Sequence, residues 1–236
     1  MIILASIFIH TLLLRVFWRV CMSDVNICTA DLQSLIRMDP EFRGMVQRKL
    51  AADKNIFVKQ LYEDLDDAIQ NLENDKHFYQ DAKWGEDELT ASIKNFLKGR
   101  FYDVEHDTQH GGHVDLLVKH QFGKFEWIGE AKLWRGPKSI HNGWIQLTER
   151  YGTGTSRDDH GGILIYIKSD KSAVKFNEWK EFFSTTVSDA EIEAEGSPLR
   201  FKSITKHPAT ALPYHVRHMG VSLYHYTGKK PLTLNW

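Results

Sequence analysis

Apolar residues recur at helical spacing through the N-terminal part of the chain and at strand spacing after it. Between residues 29 and 80, Thr29 or Asp31 is placed to cap a helix carrying Leu32, Leu35 and Ile36, and Pro40 is placed to start another. Ile56, Leu61, Leu65, Ile69 and Leu72 then mark the inner stripe of a longer helix, with Glu63, Asp64, Asp66 and Asp67 read as its wet face. The run GEDELTASIKNFLK predicts a further helix that stops at Gly99. Three strand-like runs follow at 101–108, 113–119 and 125–134. A helix over 140–151 leads to the continuous apolar strand GGILIYIK at 161–168, then come a helix over 173–185 and strands at 201–207 and 220–226. A helix, a three-strand meander, then alternating helices and strands make an α/β order, which an all-β sandwich does not fit.

Composition narrows the class. With 42% hydrophobic and 26% charged residues over 236 positions, the chain is neither low-complexity nor a polytopic membrane protein. A net charge of −1 excludes a uniformly basic nucleic-acid glove, so contacts with phosphates must come from local patches. The charge is uneven: thirteen acids face seven bases between 39 and 88, and the last forty residues carry six bases and no acid. Cys21 and Cys28 are too few for a disulfide framework or a structural zinc site, so a reducing, cytoplasmic setting is expected.

The N-terminus, MIILASIFIHTLLLRVFWRVC, has its charges, Arg15 and Arg19, after the apolar run, which is the wrong order for a secretory signal. It reads as a packed helix, as an extension upstream of a start at Met22, or as a membrane anchor; anchoring is the least favoured. The expected organisation is an extension at 1–21, a helical region at 22–80 and an α/β domain at 81–236.

The chemistry lies in the hairpin formed by GGHVDLLVKH and KFEWIGEAKLW. If it is symmetric about the Phe122–Gly123 bond, Asp115 stands opposite Glu130, with their Cβ atoms about 5 Å apart on one face. Lys132 shares that face by strand parity, and His113 is its expected cross-strand neighbour. Val114, Leu116, Val118, Ala131 and Leu133 form the opposite, core face. Like charges directly opposed in a sheet destabilise it, and a divalent cation is the economical compensation. On the helix before the meander, Glu86 lies within about 35° of the buried stripe and Glu88 more than about 120° away, so Glu86 is the candidate further ligand and Glu88 its reserve.

Gly112-His113-Val114-Asp115 followed by Glu130-Ala131-Lys132 resembles the signature of the PD-(D/E)XK nuclease superfamily. Gln146 is similar to the glutamine of its RecB-like and Mrr-like branches, where a tyrosine often follows four positions on. Here Arg150 fills that place and Tyr151 comes one residue late. The resemblance covers residues 84–170. It implies a restriction-endonuclease-like core, a central mixed β-sheet flanked by helices, and Mg²⁺-dependent cleavage of DNA phosphodiesters, with Mn²⁺ substituting. Asp115, Glu130, the Ala131 carbonyl and Glu86 would hold metal, Lys132 would orient water, and Gln146 would position water or phosphate.

Arg135, Lys138, Lys124 and Arg150 are the candidate phosphate contacts of a net positive stretch over 119–157 that also holds Lys119 and Arg157. Trp134 and Trp144 are read as core in preference to base-stacking platforms, and His106, His110 and His113 lack the fourth ligand of a closed zinc site. The competing reading is a nuclease-like binding subunit that does not cut, with 29–80 docking a partner protein. RNA as substrate and a homodimer with two paired sites stay open. Restriction or anti-phage defence and repair are the settings the resemblance suggests.

Overall fold

The computed structural model describes residues 28–51, 53–81, 83–105, 108–109, 113–120, 122 and 124–226. The reading of 1–21 as extension or anchor, and His106 and His110, lie outside them. Among the described residues no helix is long and apolar enough to cross a membrane. The chain divides into two compact units, one ending at Val46 and the other running from Gln47.

In the first unit, α1 (Thr29–Met38) begins at Cys28, whose N–H donates to the Asp31 carboxylate at 2.9 Å, so Asp31 closes the helix start from its third position. Asp39 then accepts from the N–H groups of Glu41 and Phe42 and opens α2 (Pro40–Lys49), whose last three residues belong to the second unit.

In the second unit, Asp53 caps α3 (Lys54–Asn74) by accepting from the Ile56 N–H at 3.0 Å. Leu61, Leu65, Ile69 and Leu72 form its inner stripe as expected, but Ile56 is exposed, with Phe57 and Val58 buried in its place, and the acidic run is not all wet. Asp64 is 2% exposed, gripped by Arg48 through two bonds of 2.7 and 2.8 Å and by the Tyr102 hydroxyl at 2.7 Å. Asp66 binds Arg200 and Arg217. Asp64 lies three positions after Leu61 and therefore on the buried stripe, where a carboxylate survives only with partners.

A 3₁₀ turn (Lys76–Gln80) leads to α4 (Glu86–Gly99). The strands that follow are β1 (Asp103–Glu105), β2 (Thr108–Gln109), β3 (His113–Val114), β4 (Leu116–Lys119) and β5 (Glu126–Leu133). The helix α5 (Pro137–Ile145) runs on into a π-helical turn (Gln146–Tyr151). Then come β6 (His160–Ile167), α6 (Ser172–Thr186), β7 (Glu191–Ala194), β8 (Arg200–Lys206) and β9 (Pro213–Ser222). Seven strands form one mixed sheet in the order β1-β4-β5-β6-β9-β8-β7, with β5, β6 and β9 parallel and the outer pairs antiparallel.

The sheet is packed on both faces. Leu61, Leu65 and Ile69 of α3 and Leu89, Ile93 and Leu97 of α4 cover one face, over Leu116, Val118, Trp127 and Tyr166. Ile140 and Leu147 join Phe176, Trp179 and Phe183 of α6 on the other, over Leu117, Ile128, Ile163 and Ile165. That double burial is why β6 reads as an unbroken apolar run.

Three strand expectations change. The run 113–119 breaks at Asp115, and β3 leaves the ladder to pair with β2 in a separate two-stranded ribbon. Val114 consequently packs with Leu117 and Ile128, away from Leu116 and Val118, so the expected single core face is split. The strand expected at 220–226 shares only its first three residues with the ten-residue β9, which ends at Ser222 and whose start is hidden in the sequence by His215, Arg217 and His218. Arg217 reaches Asp66 and Glu195, and fully buried His218 bonds Ser203 and Trp179.

Candidate active site

The hairpin of β4 and β5 has the expected register. Leu116 faces Gly129, Leu117 Ile128, Val118 Trp127 and Lys119 Glu126, so every pair sums to 245 and the next would be Asp115 with Glu130. At that point the first strand bends away. Asp115 stays against β5 by accepting the Ala131 N–H at 2.8 Å in place of a ladder bond. A strand residue sends its N–H and C=O to the same side, so the Ala131 carbonyl leaves on this vacated edge as well.

Glu130 is 1% exposed. One of its oxygens takes the Lys132 ammonium at 2.5 Å, and the other, Oε2, is buried without a hydrogen-bond partner among the described residues. Glu86 comes to the same group from the opposite layer of the fold. Its Oε1 accepts the Leu133 N–H at 3.0 Å, and its Oε2 lies 3.8 Å from the Lys132 ammonium. Glu88 does something different, accepting the Gly85 N–H at 2.8 Å to close the start of α4. The first turn of α4 is further held by Thr90, whose hydroxyl donates to the Glu86 carbonyl at 2.7 Å and lies 3.1 Å from the hydroxyl of buried Tyr166. Nothing in the sequence pointed to Tyr166, because it arrives from β6, seventy-six positions away.

Gln146 and Tyr151 bracket the π-helical turn, in which the Gly152 N–H reaches back five residues to the Leu147 carbonyl at 3.0 Å. A π-turn holds one residue more than an α-turn, so positions five apart share a face. The tyrosine that looked one residue late is thereby brought to the face of Gln146. Its hydroxyl feels the charges of Glu130, Asp115 and Lys132, and Gln146 presents a buried Oε1 without a partner among the described residues.

The electrostatics follow from crowding. Burial, with Asp115 next to it, pushes Glu130 up to about 8 against the pull of Lys132. Burial also raises Asp115, opposed by the Ala131 N–H and Lys132. For Lys132 burial alone would lower the pKa, but Glu130, Asp115 and Glu86 outweigh it and the value is raised. The group as a whole therefore holds protons more tightly than its members would in water.

Among the described residues, no three His, Cys, Asp or Glu side chains form a ready-made metal cage. The donors present nonetheless suit a hard cation that needs few carboxylates. They are two adjacent carboxylates, one with a buried and unused oxygen, and a main-chain carbonyl on the same edge.

The candidate phosphate contacts do not all gather here. Arg135 and Lys138 are exposed on the turn and first residues of α5, just past β5, where Gly136 takes a positive φ of 107° to start the helix. Arg150 is exposed on the π-turn. Lys124 sits at the hairpin tip, six strand positions or about 20 Å from Glu130. Lys119 is spent on Glu105 and Arg157 on Glu126, each at 2.6 Å. Trp134 and Trp144 pack against the α6 core, Trp144 edge-on to Phe183 at 5.4 Å. His113 belongs to the β2–β3 ribbon, and its side chain lies outside the described structure.

A cleft of about 570 Å³ between α3 and β8–β9 contains none of the cluster residues, and its Arg217 is already paired with Asp66 and Glu195. Compared with protein-family models, curated proteins and solved structures, the chain matches none.

Proposed function

We propose that this chain is a Mg²⁺-dependent nuclease that hydrolyses phosphodiester bonds of DNA, built on a restriction-endonuclease-like core of the PD-(D/E)XK kind. One observation carries the reading: Asp115 and Glu130 converge at the point where their hairpin opens, Lys132 is bonded to Glu130, and a buried Glu130 oxygen has no hydrogen-bond partner among the described residues. A sheet does not bury an acid in this way for stability, and such groups concentrate at functional sites.

Asp115, Glu130 and the Ala131 carbonyl would hold Mg²⁺, or Mn²⁺ in its place, with Glu86 completing the set. Bound there, the ion supplies Lewis-acid polarisation of the phosphate and a more acidic water. Lys132, whose proton is held by three carboxylates, acts as a cation. It orients the attacking water and offsets negative charge developing on the phosphate oxygens, and it is not the base. The water oxygen bonds to phosphorus as the bond to the 3′-oxygen breaks, giving a 5′-phosphate and a 3′-hydroxyl. One proton passes from water to solvent and one from solvent to the leaving oxygen. Gln146 and Tyr151 line the side from which water and phosphate approach, and Arg135, Lys138 and Arg150 contact flanking phosphates without reading sequence.

The test incubates the full chain with supercoiled plasmid, linear duplex, single-stranded DNA and RNA, in Mg²⁺ or EDTA, beside Lys132→Ala. Metal-dependent cutting of DNA that disappears in the variant is expected. Retardation of substrates on a gel without any cutting would refute the proposal in favour of a non-cleaving binding subunit.

A further inference from the structure

Gly143 occupies the interior of α5, where glycine is the least favourable residue short of proline. It is buried, and its place in the fold gives the reason. A Cβ built on Gly143 would stand 2.9 Å from Cγ and 3.1 Å from Cε of Lys132, and 3.3 Å from Cγ of Glu130. Carbon atoms in ordinary contact keep about 3.5–4.0 Å. The missing side chain is therefore a slot, and the aliphatic stem of Lys132 lies in it.

The slot has a direction. Lys132 is held at its far end by the Glu130 carboxylate, and along its stem by the backbone of α5. Three residues on, the same helix delivers Gln146, whose N–H is shared between the carbonyls of Asn142 and Gly143 where the α-helix gives way to the π-turn. The approach of α5 to β5 at Gly143 thus sets both the ammonium and the glutamine.

We infer that Gly143 is a positioning residue of the site: its lack of a side chain lets α5 press on the stem of Lys132 and hold the ammonium on Glu130. The catalytic part of this inference rests on the nuclease reading above; the packing part does not.

Gly143→Ala would push the lysine stem aside by about half an ångström or more. Turnover is expected to fall about tenfold or more, the order that a small misplacement of a reacting group costs. Affinity for DNA, measured with Ca²⁺ in place of Mg²⁺, should stay within about twofold, because the flanking contacts Arg135, Lys138 and Arg150 are untouched. Asn142→Ala, an exposed neighbour on the same helix, should cleave as the parent does.

A thermal-unfolding cycle reads the slot without any activity. With Lys132 present, Gly143→Ala should lower Tm; in a Lys132→Ala background, where the stem is gone, the same change should raise it. Wild-type turnover in Gly143→Ala overturns the inference, and so does a shift of Tm with the same sign in both backgrounds. A variant that no longer folds overturns it too, since the neighbour would then be rigid packing and not a movable stem. A parent chain that cuts no nucleic acid refutes the nuclease reading, while the cycle still reports whether the slot exists.

Discussion

The buried glutamate makes a quantitative prediction that needs no substrate. Glu130 has an ordinary pKa of 4.5 in the unfolded chain and about 8 in the fold, through burial and Asp115. The folded state therefore binds this proton more tightly, and the sign follows. Stability from this group is fully present below about pH 4.5, falls as pH rises, and is gone above about pH 8. Across the whole window the free energy at stake is of order 3–5 kcal/mol, at about 1.4 kcal/mol per pH unit. The informative part lies between pH 6.5 and 8, where the metal-free protein should lose about 2 kcal/mol. Urea unfolding in EDTA at several pH values measures it. Glu130→Gln keeps the side-chain volume and removes the titration, so its stability should be nearly flat over the same interval and exceed the parent's at pH 8. Parallel curves for parent and variant would refute the argument that Glu130 is held as an acid by its surroundings.

Two further outcomes test the frame around the site. Asp64→Ala strands the Arg48 guanidinium inside the fold and should destabilise it by about 3–5 kcal/mol in denaturant unfolding, whereas replacing both Arg48 and Asp64 by apolar residues of similar volume should cost far less. His218, fully buried against Trp179 and Ser203, is pushed down to about 3, so the fold should gain stability as pH rises from about 3 to 6.5, and His218→Gln should remove that part of the acid sensitivity.

What the sequence determined is what local periodicity and parity can carry. A symmetric two-strand run fixes its own register, so the pairs summing to 245, and with them the meeting of Asp115, Glu130 and Lys132, were readable without coordinates. The 3.6-residue repeat likewise sorted Glu86 from Glu88 and marked the stripe of α3 from Leu61 to Leu72, though not at Ile56. The α/β class followed from the order of elements, and the mixed sheet flanked by helices was what the family resemblance implied.

The tertiary structure decided whatever depends on a distant neighbour. Asp64 reads as one acid among four until Arg48 and Tyr102 close on it. The strand at 213–222 was hidden because its histidines and arginine find buried partners on other elements. Tyr151 looked misplaced because a π-turn cannot be told from an α-turn by counting residues. Gly143, inside a helix, takes its meaning only from the Lys132 stem that lies against it. Periodicity tells a side chain which way to point, but burial, partnership and proton affinity are properties of what comes to meet it, and only the folded chain brings those groups together.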